Sequence, residues 1–169
     1  LDRKMPNEHI TNGLNTVRRG DIPFSVNNII GFPFETREIA FDTIRLNKTF
    51  EADDRNAYPF TPFTGTPLRK ICEDLGFVKK QDIVKSMIAN GSILDMPQFS
   101  RKEVNGLCKT FNMYVNFPEE RWDEIRRAEE NTPEGEKIFE ELKKEFVDTF
   151  WKNGKQKISF EKSALEIHP

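Results

Sequence analysis

The residues whose types and spacing invite chemistry are few, and they gather in two short stretches. The first is Ile22 to Thr36, IPFSVNNIIGFPFET, and the second is Tyr58 to Thr61 with the loop that follows it. Taken by strand alternation, Phe24, Val26, Asn28 and Ile30 share one face, while Ser25, Asn27, Ile29 and Gly31 share the other. Two small polar groups, one apolar side chain and a glycine make a poor core layer but a serviceable ligand wall, because Gly31 admits a close approach to the backbone. Asn27 beside Ile29 suits a ligand with a sugar hydroxyl and an aromatic base, and the backbone around Phe60 and Thr61 could hydrogen-bond a base edge. An ordinary strand, turn and helix would read the same way.

Other chemistries find little support. Of the two histidines, His9 falls in a helix's first turn and His168 in the tail, and neither has a Cys or His partner at ligand spacing. Cys72 and Cys108 are far apart, each within an apolar helical pattern, so both are expected reduced, buried and structural. No serine nucleophile elbow, P-loop or glycine-rich dinucleotide fingerprint occurs, and acyl or phosphoryl transfer has no nucleophile and base to carry it. Gly65, in Phe63-Thr64-Gly65-Thr66-Pro67, offers backbone N–H groups near a helix start that could hold an anion, a pattern shared by many turns.

The elements that must position these residues follow from periodicity. Asn7 is expected to cap a helix carrying Ile10, Leu14 and Val17, ended by Gly20 in the left-handed region. The first strand comes next, then a Gly-Pro turn and a helix capped by Thr36, with Glu35 and Glu38 near its positive end and Ile39, Phe41, Ile44 and Leu46 as its apolar stripe. Ala52 to Phe60 reads as a second strand beginning near Arg55, with Pro59 tolerable at its end. Thr66 and Pro67 open a helix bearing Leu68, Ile71, Cys72 and Leu75, closed by Gly76. Such alternation implies parallel strands joined by right-handed crossovers, whose C-terminal ends, Asn27 to Gly31 and Tyr58 to Thr61, would lie side by side.

Phe77 to Phe99 reads as a connection, with a short helix over 82–89. Ser100 and Glu103 form a capping box before Val104, Leu107, Cys108 and Phe111. Pro118 opens a helical stretch around Trp122, Ile125 and Ala128, and Thr132-Pro133 caps a last helix with Ile138, Leu142, Phe146 and Phe150, closed by Gly154. These amphipathic helices, and most of the 15 phenylalanines, read as packing.

At 169 residues the chain holds a domain of ordinary size. Charged residues make up 32% and the mean hydropathy is -0.67, with no apolar run that approaches a membrane span. The net charge of -2, with both signs interspersed, offers no phosphate-tracking face, so no nucleic-acid partner is expected. Residue 1 is leucine, no signal peptide is visible, and the opening LDRKMP suggests a piece of something longer, placed in the cytoplasm.

Three stretches, LDRKMPNEHI, SVNNIIGFPFET and NAYPFTPFTGTPL, resemble the second half of the catalytic barrel of radical SAM enzymes, in the subgroup that often carries an N-terminal cobalamin-binding domain. The later ILDMPQFSRKEVNGLCKTFNMYVNFPEERW is similar to the helical extension that follows the barrel there, and the likeness runs to about Trp151. The resemblance implies an α/β fold: a partial (β/α) barrel with parallel strands over 1–78, then a mainly helical extension and tail over 79–169. It also implies residue roles. Arg3 would meet the methionyl carboxylate of S-adenosylmethionine, for which a guanidinium fork is suited. Asn27 would stand at the ribose, Ile29 would pack on adenine, Gly31 would begin the Gly-x-Pro turn, and Phe60 and Thr61 would read the adenine through their backbone. Glu35 would close the turn, with a dipole and capping role rather than ligand contact.

The CxxxCxxC stretch that binds the family's 4Fe-4S cluster is absent, and neither Cys72 nor Cys108 replaces it. The expectation is therefore a C-terminal fragment, inert alone, of a parent that makes a 5′-deoxyadenosyl radical and, in this subgroup, performs cobalamin-assisted methyl transfer on an unspecified substrate. Its partner would be the rest of that polypeptide, and an open half-barrel should self-associate. The alternative is a complete small α/β binding or interaction module without catalysis.

Overall fold

The computed structural model describes residues 5–82 and 91–151. Over these the order is α1 (Asn7–Arg19), β1 (Ser25–Ile30), α2 (Arg37–Asn47), β2 (Asp54–Pro59), α3 (Pro67–Asp74) and α4 (Arg101–Asn116). A 3-10 turn (Glu119–Arg121), α5 (Trp122–Ala128), α6 (Pro133–Phe146) and a π turn (Val147–Trp151) follow. The result is a mixed α/β chain with a helical C-terminal part. Among the described residues the sheet has two strands, β1 and β2, and they run parallel with Asn27 opposite Asn56 and Ile29 opposite Tyr58.

The two faces of this sheet differ sharply. Val26, Asn28 and Ile30, with Arg55, Ala57 and Pro59 opposite, face the helices, and Ile30 is fully buried. Ser25, Asn27 and Ile29, with Asp54, Asn56 and Tyr58 opposite, form the open face, where Ile29 is 53% exposed. The polar residue on the covered face is paired. Asn28 and Asn47 of α2 exchange amide hydrogen bonds of 3.3 and 2.9 Å, and Asn28 Nδ2 also donates to the Asn56 carbonyl at 3.0 Å. Such a fully satisfied amide pair fixes the register of α2 on β1.

The core is continuous from the sheet into the helical part. Ile30, Ala40 and Ile44 pack with Leu94, Met96 and Phe99 of the connecting segment and with Val104, Leu107, Phe111 and Tyr114 of α4, then with Ile125, Leu142 and Phe146. Phe41, Tyr114 and Trp122 meet edge to face, with centroids 5.0 to 5.7 Å apart. Ser100 and Glu103 form the expected capping box, and Thr36, Thr66 and Thr132 cap their helices as anticipated.

Several local expectations are corrected. Pro6, not Asn7, is the N-cap of α1, and no side chain caps that end. A proline with its φ already fixed near the required value begins the helix instead. Gly20 sits at φ -78, and Asp21 takes the left-handed turn at φ 52. On α2 the buried residues are Ala40, Ile44 and Asn47, while Ile39 is 50% exposed. On α3 Arg69 is buried and Ile71 and Leu75 are exposed, because the Arg69 guanidinium pairs with Glu73 at 2.6 Å and bridges to the Lys79 carbonyl at 2.8 Å. Cys108 is half-buried rather than buried. The last α-helix passes into a π turn after Phe146. Arg3, the helix expected over 82–89 beyond Asp82, Gly154 and His168 lie outside the described residues.

Candidate functional site

At the C-terminal ends of the strands the backbone is drawn tight. The Phe60 N–H donates to the Ile30 carbonyl at 2.7 Å, and the rings of Phe32 and Phe60 stack with centroids 4.6 Å apart. Glu35 reaches back so that one carboxylate oxygen accepts from both the Gly31 and the Phe32 N–H, the latter at 3.0 Å. Burial raises the pKa of Glu35 above the ordinary carboxylate range, and these two backbone donors pull it back in part. Glu35 therefore closes the turn itself, and Thr36 alone caps α2 through the Ile39 N–H.

Gly31 needs its glycine twice over. Its φ is +83, and a Cβ there would lie 2.9 Å from Cγ1 of Val104 on α4. The group that approaches its backbone is thus Val104, and Gly31 is buried, while its neighbours Asn27 and Ile29 stay open. Phe34, the fourth residue of the turn, also has positive φ, at 73, and is 63% exposed. In the second loop Phe63 is 50% exposed, and the Thr61 hydroxyl meets the Pro59 carbonyl at 3.5 Å. Because Phe60 has committed its N–H to Ile30, a base edge read here would have to use Thr61 or the loop carbonyls.

The structure puts Asn27 and Ile29 on the open face, opposite Asn56 and Tyr58, while Phe60 and Thr61 follow the end of β2 and Gly31 follows the end of β1, packed against Val104. It adds residues the sequence reading passed over. Asn56 Nδ2 donates to Asp54 Oδ2 at 2.8 Å and to Asn27 Oδ1 at 3.4 Å, which makes a polar ladder across the open face beside Ile29 and Tyr58. The alternation within DRNAYP was the signal that could have found Asp54, Asn56 and Tyr58.

A second polar cluster ties the two parts of the chain together. The Arg37 guanidinium grips Glu129 through two bonds, of 2.9 and 2.6 Å, and the Tyr114 hydroxyl donates to the same carboxylate at 2.6 Å. Burial alone would lower the pKa of Arg37, but the bidentate carboxylate outweighs it and the net shift is upward. Tyr114 is raised by burial and then by the neighbouring carboxylate. The cluster joins the start of α2 to α4 and the end of α5.

Among the described residues no three His, Cys, Asp or Glu side chains gather as a metal site. Burial raises the thiol pKa of both cysteines, that of Cys108 to about 12, so neither is poised as a thiolate ligand. The residues present do not fit a 4Fe-4S cluster. No helix among the described residues is long and apolar enough to cross a membrane.

Comparison with known proteins gives one informative likeness. No family model matches the chain, and no solved structure does. Over 115 residues the chain is 29% identical to the tRNA-2-methylthio-N(6)-dimethylallyladenosine synthase of Psychrobacter sp. (strain PRwf-1). That match takes in 68% of this chain and 23% of the other protein, so the chain spans about a quarter of the relative's length.

Proposed function

We propose that this chain is the C-terminal part of a radical SAM enzyme and contributes one wall of its S-adenosylmethionine site. The observation that carries the reading is the open face of the parallel pair, where exposed Asn27 and Ile29 lie opposite Asn56 and Tyr58, just before β2 runs on to Phe60 and Thr61. In open and barrel α/β sheets ligands sit at this C-terminal edge. The likeness to a tRNA-modifying synthase over 68% of the chain supports the same reading. In it, residues 1–78 belong to a partial barrel and 79–169 form the helical extension.

Within that site Asn27 would hold the ribose through its amide, Ile29 would cover the adenine ring, and Arg3 would take the methionyl carboxylate. Gly31 and Glu35 would act indirectly, by fixing the turn that presents Ile29. S-adenosylmethionine supplies radical chemistry only beside a reducing cluster, and that cluster would be held by cysteines elsewhere in the parent. Cobalamin-assisted methyl transfer in the cytoplasm is the parent activity to which the sequence resemblance leads.

Calorimetric titration of the gene's natural-length product with S-adenosylmethionine tests this. Asn27→Ala and Ile29→Asp should each weaken binding by about tenfold or more, on the order of 1.4 kcal/mol. Unchanged affinity in both variants would remove these residues from the site. A gene product that binds no S-adenosylmethionine would overturn the reading.

A further inference from the structure

Arg55 is a buried arginine with no ion pair among the described residues. It is 7% exposed, and its guanidinium donates to two carbonyls, of Phe50 at 2.6 Å and of Ala52 at 3.5 Å, with the Phe50 ring centroid 5.7 Å away. The buried Nε has no hydrogen-bond partner among the described residues. The carboxylates around it are committed elsewhere. Glu51 and Asp53 pair with Arg18, and Asp54 accepts from the Arg55 N–H through one oxygen and from Asn56 Nδ2 through the other. Burial lowers the pKa of Arg55 even though Glu51, Asp54 and Asp53 favour its charged form. Arg37 and Arg69, also enclosed, each have a carboxylate of their own, Glu129 and Glu73. A buried charge without a counter-ion is strongly destabilising, so an anion brought from outside would supply what Arg55 lacks.

A groove of about 320 Å³ runs past this residue, between Arg55–Pro59 of β2 and the α4 residues Asn105, Cys108, Lys109 and Asn112. That volume suits a small metabolite. No acidic side chain among the described residues lines it. Lys109 already pairs with Glu136 at 2.6 Å, which leaves Arg55 as the unmatched cation of the groove.

The direction of α4 decides which of its side chains meets Arg55. Val104 touches Gly31 beyond the end of β1, whereas the carbonyls of Tyr114, Val115 and Phe117 accept from Lys48, just ahead of β2. Helix α4 therefore runs antiparallel to β2, with Asn112 at the Arg55 end of the groove and Asn105 at the Pro59 end. The Asn112 carbonyl accepts from Asn116, and Asn105 Oδ1 accepts from the Ser92 N–H. The side-chain amide of Asn112 and the Nδ2 of Asn105 have no partner among the described residues.

We infer that this groove binds a small organic anion whose charged group, a carboxylate or a phosphate, sits at the Arg55 end, meets the guanidinium at Nε and accepts from Asn112 Nδ2. Both groups suit a guanidinium flanked by an amide donor. The rest of the ligand would lie along Ala57 and Cys108 toward Asn105. This site is separate from the open face, because it lies between β2 and α4, and it does not depend on the function proposed above.

Titration of the 169-residue chain with sodium acetate and, separately, with sodium phosphate tests this, at an ionic strength held constant with sodium chloride. The Arg55 Nε–Hε and Asn112 Nδ2 signals are read by NMR. One or both anions should shift these signals together to saturation, with a Kd of about 10 mM or tighter, and the tighter binder identifies the charged group of the ligand. Arg55→Met and Asn112→Asp should each weaken that binding by about tenfold or more. If Arg55→Met fails to fold, Asn112→Asp, at a half-buried position, decides alone. Shifts that never saturate or that chloride reproduces, saturation with Arg55 and Asn112 unmoved, or an affinity unchanged by Asn112→Asp would overturn the site.

Discussion

Replacing Glu129 by glutamine tests how the helical part is fastened to the α/β part. The side chain is 8% exposed, and it accepts two bonds from Arg37 and one from Tyr114. Glutamine keeps the shape and one acceptor oxygen but forfeits the charge, and its amide nitrogen opposes one guanidinium donor. Breaking a buried pair by removing one partner costs about 3–5 kcal/mol. The Arg37 side chain is 16% exposed, and that access to water brings the expectation down to about 2–3 kcal/mol. Urea unfolding followed by tryptophan fluorescence is the assay, since Trp122 stands 5.7 Å from the Tyr114 ring. Arg37→Met should cost at least as much, because it leaves the Glu129 carboxylate, 8% exposed, with the neutral Tyr114 hydroxyl in place of the guanidinium. The double variant should show a coupling of about 1–3 kcal/mol. A loss below about 0.5 kcal/mol for Glu129→Gln with no coupling would refute the claim that this cluster fastens the two parts.

Other outcomes follow from the same contacts. Gly31→Ala should destabilise by about 2–4 kcal/mol, and adding Val104→Ala should recover only the steric part, since the positive φ strain stays; thermal unfolding of both variants measures this. Glu35 has a folded pKa above its unfolded value, so its stabilising contribution is full below the ordinary carboxylate range and is lost as pH rises through the raised value. Glu35→Gln should flatten stability against pH in that window, and because one oxygen accepts both N–H bonds it should change stability at neutral pH by less than about 0.5 kcal/mol, whereas Glu35→Ala should cost about 1–3 kcal/mol in the same denaturation assay. Cys108, with its thiol pKa pushed up to about 12 by burial, should resist alkylation at neutral pH until urea unfolds the chain, as mass spectrometry of trapped samples would record. The isolated chain should self-associate through β1, with Asn27→Pro suppressing this in light scattering and Ala57→Pro leaving it unchanged.

What the sequence revealed is what local rules govern. The Ser100-Glu103 capping box and the threonine caps depend on neighbours within four residues, and each appears as expected. Which face of β1 stays open was legible for the same reason, because period-two alternation put Asn27 and Ile29 on one face and both are exposed. Misreadings arose where tertiary contacts competed with local pattern. Arg69 is buried on α3 because four groups in two loops and its own helix accept from it, so Ile71 and Leu75 are turned outward. The link from Arg37 to Glu129 spans 92 residues, and no periodicity announces it. Gly31 illustrates both cases: its turn was readable, but the side chain that fills the space above it, Val104, comes from a helix 73 residues on.

The central claim concerns the open face of the parallel pair, and an amide shift map of this chain titrated with S-adenosylmethionine tests it most directly. The account predicts shifts confined to Asn27–Phe32 and Phe60–Thr61, diminished by Asn27→Ala. Saturating shifts along the groove between β2 and α4 instead, or none at the strand ends at millimolar ligand, would contradict it.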